Sequence, residues 1–95
     1  MHVTLFNREN VDEAPKESGV IALYEDDELV RYAESREGIR SLLQKGFEQG
    51  LWPRTTHFKC EKSSVPLVRF HQLLAEYAAD RGRLPRDNQP AAGIA

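Results

Sequence analysis

The stretch from Gly19 to Ala33 constrains this chain more than any other. Gly19-Val-Ile-Ala-Leu-Tyr24 is apolar and partly β-branched, the pattern of a strand covered on both faces rather than one with a wet side. Asp26-Asp27 follows, and aspartate tolerates the dihedrals of a tight turn. Leu29-Val-Arg-Tyr-Ala33 then reads as the returning strand of an antiparallel hairpin. A chain of 95 residues has room for one domain around such a hairpin.

From Arg36 the period becomes helical. Ile39, Leu42, Leu43 and Phe47 share a stripe, while Arg36, Arg40, Gln44 and Lys45 point elsewhere. Gly50 and Pro53 end that helix. Thr56 to Lys62 alternates, with Phe58 and Cys60 on one side and His57, Lys59 and Glu61 on the other. Ser64 suits a helix N-cap and Pro66 its first turn. Leu67, Phe70, Leu74 and Tyr77 then form a stripe that stops at Gly82. The fold class expected is α+β, a small three-stranded antiparallel sheet with two helices in the order β-β-α-β-α, over residues 10–88. Residues 1–18 read as a lead-in, with Asn7 to Ser18 as loop; Val3 and Leu5 alternate with Thr4, so an extra strand also fits. Residues 89–95 read as a loose tail.

Composition bounds the function. With 40% hydrophobic and 29% charged residues the chain is an ordinary globular one. A net charge of −2 and a pI near 5.9 argue against a strongly cationic nucleic-acid binder. Arg36, Arg40, Lys45 and Arg54 could still line up as a weak basic strip, although a solvated helix face is the ordinary reading. So few phosphate contacts give low, salt-sensitive affinity. Cys60 is the only cysteine, which rules out an intramolecular disulfide. It shares a strand side with Phe58, as a structural thiol would. No CxxC or HxxxH pattern occurs, so neither a metal nor another cofactor is expected. The acidic pairs Asp12-Glu13 and Glu25 to Glu28 read as solvated turns. Met1 to Phe6 lacks the marks of a secretory signal, and no apolar run nears the ~20 residues of a membrane span. No membrane contact is expected, and a cytoplasmic location is the default.

In element order and in several short motifs the chain resembles the GIY-YIG nuclease domain. Gly19-Val20-Ile21 stands at the Gly-Ile/Val-Tyr motif and Arg31-Tyr32-Ala33 at the second, Tyr-Ile-Gly, motif. Gly38-Ile39-Arg40-Ser41-Leu42-Leu43 is similar to the family's arginine-bearing helix, and Arg69-Phe70-His71-Gln72-Leu73-Leu74 to its last helix. Pro85-Arg-Asp-Asn88 matches its Pro-x-x-Asn ending. The resemblance implies metal-assisted phosphodiester hydrolysis, in which two tyrosines serve the water, an arginine holds phosphate and a glutamate binds a divalent cation.

The residues present depart from that set. Ile21 stands at the first tyrosine position, Arg31 at the second and Ala33 at the motif glycine; Leu42 replaces the arginine and Phe70 the glutamate. Only Asn88 is retained. Helical geometry turns Arg40 ~200° from Leu42 and Glu76 ~120° from Phe70. The function expected is therefore a non-catalytic interaction or structural module, with a protein partner or self-association. The alternatives are nucleic-acid binding without cleavage, and a divergent metal-dependent endonuclease using relocated residues.

Overall fold

The structure, a computed structural model, describes residues 3–89, so the tail expected over 89–95 lies, beyond Gln89, outside the described residues. Its elements run β1 (Thr4–Leu5), α1 (Arg8–Asp12), β2 (Gly19–Glu25), β3 (Glu28–Ser35), α2 (Ile39–Gln49), β4 (His57–Lys62) and α3 (Pro66–Arg81), then a 3-10 turn over Arg86–Asn88. The strands form one antiparallel sheet in the order β1-β4-β2-β3. The expected α+β class and the hairpin are present. The expected count of three strands and two helices falls short by one of each.

Both additions lie in the segment that reads as a lead-in. β1 pairs for only two residues, Thr4 with Phe58 and Leu5 with His57. The alternation of Val3 to Leu5 admits such a strand, and β4 supplies its order. The Asn7 to Ser18 loop is interrupted by a single helical turn. Asn7 caps it, its side chain accepting the Asn10 backbone N–H at 2.9 Å, as asparagine does at helix starts. Val11 is the one residue of the turn that is buried, with Ala14 following it, too few to show a period in sequence.

The two faces of β2 organise the rest. Ile21 and Leu23, fully buried, face α1 and α2 and join Val11, Ile39, Leu43 and Phe58 in one core. Cross-strand register puts Ala33 and Cys60 on that side, since they pair with Ile21. Phe6 plugs the far end with its ring edge-on to Phe47 at 5.4 Å and to Phe58 at 6.1 Å. Burial of each such side chain contributes ~1.5–3 kcal/mol. Val20 and Ala22 face the other way, under α3.

Helix starts are satisfied by neighbours. The N–H groups of Ile39 and Arg40 in α2 donate to the carbonyls of Glu17 and Pro15, each at 2.9 Å, so the loop before β2 occupies donors that a helix start otherwise leaves open. At α3 the expected Ser64 cap is not made: Val65 is the N-cap and no side chain caps the helix, while Ser63 Oγ accepts the Val65 N–H at 3.1 Å and Pro66 occupies the first turn. The stripe on α3 also shifts. Leu67 is 40% exposed, and Phe70, Leu73, Leu74 and Tyr77 are half-buried. The hairpin turn is as expected, with Asp26 at φ 53°, a left-handed angle that aspartate accepts.

Gly19 is where sheet and helix come closest. A Cβ there would run into the Glu61 backbone carbonyl and the end of the Ile39 side chain. Because a backbone atom cannot rotate away, Gly19→Ala is expected to cost at least ~2 kcal/mol, in line with overpacked interiors. A denaturant midpoint equal to that of the parent chain would contradict this packing.

Candidate functional site

The substituted motif positions do not make a cleft. Ile21 is fully buried, and Ala33 and Leu42 pack against the same core on the α2 side. Arg31 shares their sheet face, since it pairs with Leu23, and lies near the end of the sheet beside Leu51 to Thr55. Phe70 is on α3, across the sheet, with its ring 5.4 Å from that of His71. Asn88 has a structural task. Its side-chain amide accepts the Tyr32 N–H at 2.6 Å and donates to the Tyr32 carbonyl at 2.9 Å. The outer edge of β3 is thus closed by a side chain that imitates a paired strand.

The basic strip is dispersed. Arg36 lies before α2, beside the start of α3. Arg40 is half-buried and its Nε donates to the Ala14 carbonyl at 2.7 Å, pinning the loop. Lys45 is exposed on α2. Arg54 follows the helix and lies 3.4 Å from Glu25. An 11-residue helix, ~16 Å long, separates Arg36 from Arg54. Trp52 caps the loop after α2, its ring so close to Gly46 that no Cβ would fit there.

The most developed concavity lies on the opposite face, between α3 and the β2–β4 half of the sheet. It is about 470 Å³, within the size range of ligand sites. Its floor is Val20 and Ala22, and Leu73 is its apolar wall. α3 stands off the sheet here because the floor side chains are small. Tyr24, Tyr32, Lys59, Glu61, Arg69 and Glu76 complete the lining. Strand alternation aims Tyr24, Tyr32, Lys59 and Glu61 to this face, and Arg69, Leu73 and Glu76 recur at helical spacing.

The groups in the groove are mutually engaged. Arg69 grips Glu61 through Nε at 2.5 Å and Nη2 at 3.2 Å, and reaches Glu76 at 3.4 Å. The Glu61 contact, with Glu76 behind it, holds the guanidinium above its usual pKa. Lys59 sits over the Tyr24 ring, 5.3 Å from its centre, a cation–π distance. Burial, reinforced by Tyr24 and Glu76, raises the Tyr32 hydroxyl above the usual phenol value, so it stays protonated at neutral pH. Among the described residues no cluster of three or more histidine, cysteine, aspartate or glutamate side chains is placed to hold a metal. None of their helices is long and apolar enough to cross a membrane.

From the sequence, Lys59 and Glu61 read as one strand face and Glu76 as displaced from Phe70. What that reading missed is that Arg69, rather than Phe70, turns to the groove and carries Glu76 with it. The signal was the spacing of Arg69, Leu73 and Glu76, masked by the apolar Leu67-Phe70-Leu74 stripe.

Comparison with known proteins adds no relative: no family model, no curated protein and no solved structure matches the chain.

Two outcomes follow. Asn88→Ala leaves the Tyr32 N–H and carbonyl without partners, a loss of ~1–3 kcal/mol; hydrogen exchange should show the Tyr32 amide opening faster, with Asn88→Asp intermediate. Burial pushes the Cys60 thiol up to about 11, so alkylation should be slow at pH 8 and accelerate only as pH climbs toward that value. Fast labelling at pH 8 by a maleimide or disulfide reagent would show the thiol to be exposed.

Proposed function

We propose that this chain is a non-catalytic GIY-YIG-like module that holds a partner protein in the groove between α3 and the sheet. The reading rests on one observation. Ile21, Ala33 and Leu42, which stand where the nuclease chemistry would need a tyrosine, a glycine and an arginine, are packed against the core. An unpaired charge at such positions would cost several kcal/mol, so their apolar character serves folding.

The groove suits a polypeptide. Its two cations, Lys59 and Arg69, are matched by Glu61 and Glu76, which gives no net attraction for a phosphate backbone. Tyrosines and an arginine over an apolar floor are the composition of protein interfaces. Val65, Leu67 and Val68 lie 55%, 40% and 54% exposed at the start of α3, around a separate concavity with Ser18 and Arg36. A photo-crosslinking residue in place of Leu73 should give discrete protein adducts in cells that make the chain. Ala22→Phe, which fills the groove floor, should abolish them. Adducts confined to nucleic acid, or adducts indifferent to Ala22→Phe, would overturn this reading.

A second reading has a specific observation behind it. Tyr24, Tyr32, Arg69 and Glu76 share the groove, and two tyrosines, an arginine and a glutamate are the side-chain types that metal-assisted phosphodiester cleavage uses. Against it stand the Arg69 contacts that occupy Glu76 and the raised Tyr32 hydroxyl. Incubation with branched or nicked duplex and Mg²⁺ or Mn²⁺ separates the two. The first reading expects no product. Cleavage that a chelator stops and Glu76→Gln abolishes would establish the second.

A further inference from the structure

A separate cavity of about 230 Å³ lies at the other end of the molecule, where the end of β2, β3, the loop after α2 and the 3-10 turn meet. Arg31, Arg54 and Arg86 converge on it together with Glu25, Asp87 and Trp52. Three guanidiniums face two carboxylates, so one cation is in excess. Arg86 is largely engaged: it holds Glu25 through both terminal nitrogens and Asp87 through Nε at 3.0 Å. Arg54 touches Glu25 at 3.4 Å and its side chain is 76% exposed, leaving most of its donors open to solvent.

Arg31 is the unusual member. It is half-buried, and its Nε is fully shielded from solvent with no hydrogen-bond partner among the described residues. None of the ion pairs of this cluster includes it. A guanidinium donor removed from water and left unsatisfied costs more than a lost surface contact. The carboxylates beside it cannot relieve it, because both are held by Arg86; that contact is also the chief reason Glu25 and Asp87 lie below the usual carboxylate range.

We infer that this cavity is a binding site for a small phosphate-type oxyanion, held between Arg31 and Arg54 with Arg86 as the fixed wall. The planar guanidinium fork matches a tetrahedral oxyanion with paired, charge-assisted hydrogen bonds. One such ligand would offset the excess charge of the three guanidiniums that line the cavity. The site is independent of the α3 groove, which lies on the other face of the sheet, and its test does not depend on that groove's role.

Trp52 is the only tryptophan of the chain and lines this cavity, so it reports occupancy. The full chain is titrated with sodium phosphate at constant ionic strength, with sodium chloride and sodium acetate as parallel arms. Tryptophan emission is followed, and phosphate line width in phosphorus NMR gives a second readout. Phosphate should produce a saturable response absent with chloride and much weaker with acetate. Arg54→Ala, whose side chain is largely in solvent, should keep the fold and bind about tenfold or more weakly, the loss expected for one charge-assisted contact; Arg31→Met should do the same. No saturable response in either readout would overturn the inference. So would an acetate response equal to that of phosphate, or unchanged affinity in both variants.

Discussion

Burial of β2 on both faces is the constraint from which the remaining structure follows. Ile21 and Leu23 are fully covered on one side by α1 and α2, and Val20 and Ala22 are covered on the other by α3. A strand with no wet face needs a layer above and below it, and in a chain this short every helix is consumed in supplying them. Gly19 makes the close approach feasible at the start of the strand, where the Glu61 carbonyl and Ile39 leave no room for a side chain. The loop carbonyls of Pro15 and Glu17 then satisfy the first amides of α2, so the loop, the helix and the strand hold one another in place.

The two coverings are unequal, and the inequality creates the groove. On the α2 side large side chains interlock: Leu43 and Ile39 are fully buried, and Phe6, Phe47 and Trp52 pack against the cluster. On the α3 side the sheet offers only Val20 and Ala22. A helix cannot close onto so low a floor while its own face carries Arg69 and Glu76, so space remains beneath Leu73. Polar groups line that space because strand alternation sends Tyr24, Tyr32, Lys59 and Glu61 there. The same geometry makes the Arg69 bridge to Glu61 a strut across the groove as well as an ion pair.

The first strand and the 3-10 turn close the edges of the sheet. β1 covers part of β4, and Asn88 clamps Tyr32 on β3. The Arg86 contact with Glu25 ties the tail a second time. Edge strands left open invite pairing with other chains, so the last residues before Gln89 serve the sheet as well as the cavity formed by Arg31, Arg54 and Arg86.

The hairpin, α2, β4 and α3 were legible in the sequence because each carries enough residues for its period to show. The buried core on the α2 side was equally legible, since Ile39, Leu43 and Phe58 are apolar at the right spacing. α1 was not, because one helical turn has no period of its own, and β1 showed only as the alternation of Val3 to Leu5; their order comes from β4 and α2. The same division governs the sites. Sequence alone determined that Ile21, Leu42 and Phe70 carry no chemistry, since no fold gives a hydroxyl or a charge to an aliphatic side chain or a phenyl ring. Only the tertiary structure decided which polar groups meet, placing Glu76 and Arg69 beside two tyrosines and leaving Arg31 Nε without a hydrogen-bond partner among the described residues. Those meetings depend on how far α3 stands from the sheet and on where the tail crosses β3, distances that side-chain packing sets and no local pattern encodes.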